Sequence, residues 1–374
     1  MNQFSSHSPM YRLSKQTLPM DWPLFFLIIL MTTLGLAVLY SASNASMSML
    51  LRQIARLMLA ILIMFISAFI PPHKYKQWTP AIYAAGLMML IAVMIMGKIG
   101  KGAQRWLDLG VFRFQPSEIM KLAVPMMTAW YLDQKSLPIH FNALIVSSLI
   151  IFVPALLIVK QPDLGTGIMV TMAGLFVIFL AGIRWRLIAF LMLGFALLAP
   201  LLWQFMHDYQ KQRIIILLNP ERDPLGSGYH IIQSKIAIGS GGTFGKGWLL
   251  GSQSHLNFLP EHATDFIFAV SGEEFGFVGS VLLILLIMLI ALRSLHIARG
   301  AQNIYNRLLA ASLSMSFFFS AFVNMGMVMG ILPVVGIPLP LISYGGTAMV
   351  TFMASFGILV SIASHRILFN TLSD

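Results

Sequence analysis

Residues 274–293 read EFGFVGSVLLILLIMLIALR, twenty residues with charge only at the two ends. A helix of that length rises about 30 Å, the thickness of a bilayer's hydrocarbon core. The run shows no strict alternation of apolar and polar residues, so it reads as a membrane-spanning helix and not as a strand of a barrel. Scanning outward from it gives nine further runs: 23–43, 52–71, 79–97, 117–133, 142–159, 166–183, 186–206, 306–331 and 345–365. Pro125 and Pro154 fall inside the fourth and fifth runs. The fold class expected is an all-α integral membrane protein, a bundle of ten transmembrane helices with a large extracytoplasmic loop between helices 7 and 8.

Composition supports that class. The 374-residue chain is 58% hydrophobic and only 10% charged, with a mean hydropathy of +0.82, which excludes an ordinary soluble domain. There is no cysteine, hence no disulfide framework, thiolate chemistry or cysteine-ligated zinc. The nine histidines show no HExxH or similar metal spacing. The first apolar run lies too deep in the chain, and lacks a small-residue cleavage site, to read as a removed signal peptide. Expected boundaries are an N-terminal tail over 1–22, a membrane domain over 23–367 containing the 207–273 loop, and a short tail over 368–374.

Ten spans put both termini on one side. The short connections there carry Lys74, Lys76, Lys135, Arg184, Arg186, Arg293, Arg299 and Arg307, and with Arg12, Lys15 and Arg366 they hold eleven of the 24 Lys and Arg. The positive-inside rule makes that side cytoplasmic. Ten of the 13 acids fall on the opposite side or at its boundary. Four of them, Glu261, Asp265, Glu273 and Glu274, sit in LPEHATDFIFAVSGEEFGFVG, directly before the eighth span. Lys98, Lys101, Arg105, Arg113, Lys160, Lys211, Arg213, Lys235 and Lys246 lie on that side too, against the topogenic trend. The chemistry is therefore expected to face outward.

Each motif has a functional and a plainer reading. Asp265, beside Phe258, Phe266 and Phe268, would be a partly desolvated carboxylate suited to proton abstraction, or else a helix cap. Glu118 and Lys121 share one helical face at i and i+3, as a functional pair or as an internal ion pair. Lys160 and Asp163 in VKQPDLGTG mark an outward turn, as ligands or as solvated turn residues. GSGGTFGKG, at 239–247, fails the P-loop spacing; Lys246 and backbone N–H groups could meet an anion, or the loop could be a flexible connector. The 98–116 segment, mixing Trp106, Phe112 and Phe114 with Arg105 and Arg113, reads as interfacial. The uncharged NMGMVMGILPVVGIPLPLISYGG reads as a broken or re-entrant element, with Ser343 and Tyr344 lining a cavity or merely packing.

Together RWLDLGVFRFQPSEIMKLA, QPDLGTG, DPLGSGYHIIQSKIAIGSGG, GKGWLLGSQSHLNFLPEHATDFIFAV and GILPVVGIPLPLISYGG resemble the SEDS family of bacterial cell-envelope glycosyltransferases, and within it the elongation branch more than the division branch. Ala263 stands where the family usually has a histidine before the Thr-Asp pair, with His262 one place earlier. The resemblance implies polymerisation of lipid II into β-1,4-linked glycan with inversion at the anomeric carbon. It implies Asp265 as the essential aspartate and Glu118 and Lys121 as the polar pair of a central cavity. Arg105, Arg213, Lys246, Asp163 and Ser343 complete the expected substrate-binding set, with a divalent cation, Mg or Mn, as the expected cofactor. Expected partners are a class B penicillin-binding protein and the elongation proteins MreC, MreD, MreB and RodZ; no nucleic acid is expected. The competing classes are a lipid II flippase, which predicts ionisable groups at mid-depth on several helices, and a non-catalytic scaffold.

Overall fold

The computed structural model describes residues 20–96, 98–100, 103–108, 113–136, 138–183, 208–223, 226–255 and 261–365, with isolated positions between 189 and 204. In chain order the helices are α1 (Trp22–Ala42), α2 (Met47–Phe69), α3 (Pro72–Met96), α4 (Pro116–Asp133), α5 (Phe141–Lys160), α6 (Leu164–Leu180), α7 (Asp208–Leu218), α8 (Ser227–Ser240), α9 (Ser252–His255), α10 (Ile267–Arg299), α11 (Ile304–Val328) and α12 (Thr347–Ser364). Seven of these, α1, α2, α3, α5, α10, α11 and α12, are long and apolar enough to cross a membrane. α4 carries Glu118, Lys121 and Asp133, and α6 has only 17 residues. The expected seventh span, 186–206, lies largely outside the described residues.

Both internal prolines are accommodated without a break, Pro125 in α4 and Pro154 in α5. Their side chains are buried among the neighbouring helices. The expected second and third spans begin earlier than their apolar cores, at Met47 and Pro72. The segment read as interfacial, 98–116, contains a small antiparallel sheet, β1 (Lys98–Gly100), β2 (Ala103–Asp108) and β3 (Arg113–Phe114), ordered β1-β2-β3. Pairing Lys98 with Trp106 and Asp108 with Arg113 satisfies backbone N–H and C=O groups locally, which matters wherever water is scarce.

The apolar outside is the expected one for lipid. Phe26, Met58, Ile95, Leu156 and Leu282 are each more than 60% exposed, while Met31, Leu90, Met120, Ile151 and Phe317 are buried at the centre. α11 and α12 are the most enclosed of the seven spans.

The eighth apolar run starts earlier than expected. α10 begins at Ile267 and runs 33 residues, broken internally at Gly276 (φ 67°, ψ −159°), a conformation that is essentially glycine's alone. Around that break the 239–247 loop docks by backbone bonds: Lys246 N–H to the Glu273 carbonyl, Gly247 N–H to Glu274, Phe277 N–H to Gly242 and Val278 N–H to Thr243. A Cβ on Gly276 would lie 2.3 Å from the Gly245 nitrogen. Gly276→Ala is expected to cost roughly 1–3 kcal/mol from backbone conformation alone. Thermal unfolding in detergent would show a lowered midpoint for it, whereas Gly239→Ala, whose Cβ meets nothing within 4 Å, should leave the midpoint unchanged or raised.

Candidate active site

The segment 261–266 is held by what folds over it. Thr264 and Phe266 donate their N–H groups to the Glu261 carbonyl, making a tight turn before α10. Three successive carbonyls of this segment then accept bonds from elsewhere in the chain. Ala263 accepts from the Tyr344 N–H at 2.9 Å. Thr264 accepts from the Ser343 hydroxyl at 2.6 Å, and Asp265 accepts from the Asn324 side-chain amide at 2.8 Å. The same Asn324 nitrogen donates to the Ile337 carbonyl at 2.7 Å, and the Leu339 N–H donates to the Ser343 hydroxyl. The helix-free stretch between α11 and α12 is therefore the expected broken element, and it buttresses Asp265 from behind.

The Asp265 side chain is half-buried, and a Cβ on Gly336 would come within 3.4 Å of its Oδ2. The flanking Phe266 and Phe268 are buried; Phe258 lies outside the described residues. The capping alternative takes a different form. Phe266 occupies the cap position of α10 with no side-chain cap bond, and the Thr264 hydroxyl bonds the Glu261 carbonyl and carboxylate.

Glu118 and Lys121 form an ion pair at 2.6 Å inside the bundle, with side chains 7% and 14% exposed. Glu118 Oε2 is buried without a hydrogen-bond partner. Leaving a charged oxygen so costs about 1–3 kcal/mol or more, which a purely structural pair would avoid. Lys121 borders a small void of about 20 Å³ shared with Ser316, Thr351 and Ser355, and the Ser316 hydroxyl also lacks a partner. Such a void holds one water with polar company. A run of contacts places this pair at the same end of the bundle as Asp265. Gln115, the cap residue of α4, donates to Asp163 at 2.8 Å; Asp163 caps α6 through the Thr166 N–H; and the first turn of α6 packs Gly165 against the Val335 carbonyl.

The other expected binding residues separate. Asp163 is 7% exposed, a buried cap and not a solvated turn residue; Lys160 is exposed. Lys246 does not face a cavity anion: its ammonium meets Glu273 at 2.7 Å and the Ser252 hydroxyl at 2.8 Å. Glu273 is fully buried and also accepts from the Ser252 and Gln253 N–H groups. Its neighbour Glu274 accepts from the Ser41 hydroxyl of α1. These two acids hold the long loop to the bundle. Ser343 is used in the backbone bridge described above. Arg213 sits half-buried on α7, and the side chain of Arg105, in β2, lies outside the described residues.

Sequence reading passed over two cations. Arg52 and Arg56, at i and i+4 in the first turns of α2, flank Tyr344: Arg56 lies 4.4 Å over its ring, and Arg52 Nε donates to its hydroxyl at 3.4 Å. Gln53 between them donates to the Ser343 carbonyl. Their signal was present, since charges in an apolar span are functional candidates. His230 of α8 was also passed over. Its ring stacks on Phe266 with centroids 5.6 Å apart. Burial holds its pKa below the usual histidine value, against the opposing pull of Glu261 and Asp223. A lowered folded pKa means that its contribution is present above about pH 6.5 and is lost as pH falls through the folded value. Thermal midpoints should therefore drop more steeply between pH 7 and 5 for the wild type than for His230→Phe, which cannot be protonated. Equal slopes would remove His230 from the account. Replacing Glu273 by Gln should loosen the 239–252 loop, read as faster hydrogen exchange there, and Lys246→Met should add little on top of it.

Comparison with known proteins agrees with this anatomy. The family FTSW_RODA_SPOVE, described as cell cycle protein, matches residues 21–367. The peptidoglycan glycosyltransferase MrdB of Escherichia coli (strain K12) is 50% identical over 348 residues, 93% of this chain and 94% of that protein. A solved structure described as a peptidoglycan synthase complex coordinating polymerization and crosslinking superposes with a TM-score of 0.81 at 32% identity, covering 92% of this chain and 97% of the other. The rod shape determining protein RodA of Thermus thermophilus superposes at 0.71 with 28% identity, covering 93% and 98%.

Proposed function

We infer that this chain, which belongs to the FTSW_RODA_SPOVE family of cell cycle proteins, is a peptidoglycan glycosyltransferase carried in a membrane by several helical spans. The observation that carries the residue-level reading is the anchoring of the Ala263, Thr264 and Asp265 carbonyls by Tyr344, Ser343 and Asn324. Three fixed carbonyls give one half-buried carboxylate a set position, which is what a general base needs.

The proposed substrate is lipid II. The 4-hydroxyl of the acceptor sugar attacks the anomeric carbon of the donor and passes its proton to the Asp265 carboxylate. The new O–C bond forms as the bond from that carbon to the diphosphate oxygen breaks. The electron pair leaves with undecaprenyl diphosphate, and inversion gives the β-1,4 link. Negative charge grows on the leaving group, so cations nearby favour the transition state. Lys121, Arg52 and Arg56 are the proposed set, together with Arg213 and Arg105; Lys246 is left out because it is already paired with Glu273. Asp163 and Ser343 serve to position the elements that carry these groups.

A divalent cation, Mg or Mn, fits as a companion of the diphosphate. Among the described residues no group of three or more His, Asp or Glu side chains gathers to hold a resident ion, and the steps above belong to the chain's own residues. Further parts of the proposal are a ten-span topology with cytoplasmic termini, the site and the 207–273 loop on the outer face of the inner membrane, and a crosslinking partner. The partner of suitable chemistry is a class B penicillin-binding protein, in an assembly with MreC, MreD, MreB and RodZ. The charge bias between the two ends supports the orientation.

The test is polymerisation of labelled lipid II by the purified protein, alone and with its crosslinking partner, in the presence of a β-lactam. Asp265→Asn should lose roughly 10²–10⁴-fold of the rate with an unchanged thermal midpoint. Arg56→Gln should lose on the order of 10²-fold, as for one donor to a developing anion. Ladders from a folded Asp265→Asn protein would remove Asp265 as the base. No ladders from either protein, where a known polymerase succeeds, would favour a flippase or scaffold.

A further inference from the structure

The opposite end of the bundle holds a second concave site that the glycosyltransferase reading does not use. There the C-terminal ends of α6 and α10 meet the N-terminal turns of α11, enclosing a cavity of about 280 Å³. Leu180, Leu295 and Leu308 form its apolar wall, and Arg299 and Arg307 stand at its mouth. Three other described cations at this end are engaged: Lys76 with Asp133 at 2.5 Å, Arg293 with Asp21 at 2.8 Å, and Lys135 over the Tyr131 ring. Arg299 and Arg307 are exposed and have no ion-pair partner among the described residues.

We propose that this cavity binds the phosphate headgroup of an anionic phospholipid of the adjoining leaflet. Three observations carry it. Two unpaired guanidiniums on neighbouring helices converge on one opening, and planar donors suit phosphate oxygens. The surface leading to the opening is lipid-facing, with Phe179 56%, Leu292 55% and Leu289 51% exposed, so the opening lies where apolar helix surface gives way to charge. The volume is below the roughly 300–1,000 Å³ of pockets that engulf a drug-sized molecule. The wall is Leu and Ala apart from the two arginines, so the phosphate sits at the mouth on the guanidiniums and the apolar wall meets the start of an acyl chain. Basic pockets between spans are a recurrent form of headgroup site.

The probe is phosphatidylglycerol against phosphatidylcholine, with the full chain in mixed nanodiscs and bound lipid counted by native mass spectrometry. Each arginine is worth about fivefold in preference for an anionic surface. The double variant Arg299→Gln, Arg307→Gln should therefore lose roughly tenfold or more of the phosphatidylglycerol preference. The matched double variant Lys74→Gln, Lys135→Gln at the same end should keep it. Equal loss in both pairs would mean diffuse surface attraction, and no loss in the arginine pair would mean no site; either overturns the proposal. A photoactivatable phosphatidylglycerol on the wild-type protein gives a second reading independent of variant folding. Crosslinks within 295–311 support the site, and crosslinks confined to other segments overturn it.

Discussion

Asn324 is the residue on which the rest of the site depends. Its amide nitrogen is fully buried and donates to the backbone of two segments at once, the turn bearing Asp265 and the broken stretch at Ile337. Those segments lie far apart in sequence, and neither is a helix that could satisfy its own carbonyls. In a chain surrounded by hydrocarbon an unpaired carbonyl costs several kcal/mol. The broken stretch is tolerable only because it and the Asp265 turn complete one another. A single side chain from α11 ties that exchange to the most enclosed part of the bundle. Fold and catalytic geometry are thus the same hydrogen-bond problem solved once.

The four acids gathered before the eighth span divide the labour. Asp265 is the one set beside the broken element, against Gly336. Glu261 supplies the turn that presents it. Glu273 and Glu274 are buried and spent on binding the long loop and α1. Clustering of acids in sequence therefore brings the proposed base together with the scaffolding that steadies it. The same division separates Lys121, beside a buried and incompletely satisfied carboxylate, from Lys246, which is fully engaged.

Most of the membrane architecture was legible because apolar runs of span length have few other uses. Where span limits shifted, amphipathic helix extended past the apolar core, as at Met47 and Pro72. Asp265, Glu118 and Lys121 could be picked out since charges in or beside spans are rare and costly. The small sheet at 98–114 was not legible: its strands are two to six residues long, too short for alternation to show. Arg52 and Arg56 escaped because they fell at the margin of a span whose start was placed late. The roles of Glu273 and Lys246 depend on a partner 27 residues away, and a local motif cannot display that.

The break at Gly276 has a consequence for where chemistry can take place. Residues 266–274 are buried, and exposure to lipid begins with Phe277, at 68%. A 33-residue helix would span roughly 50 Å if continuous, well beyond the hydrocarbon thickness. The upper part is thus walled off by protein, and only the lower part lies against acyl chains. On the proposed reaction the carboxylate is held at a set height above the lipid boundary, at most about 18 Å along twelve residues. A polyprenyl carrier has its diphosphate pinned near that boundary by its own tail. The distance between tail anchor and base then sets how far above the lipid boundary the diphosphate-linked sugar must sit to react, so the molecule measures as well as joins.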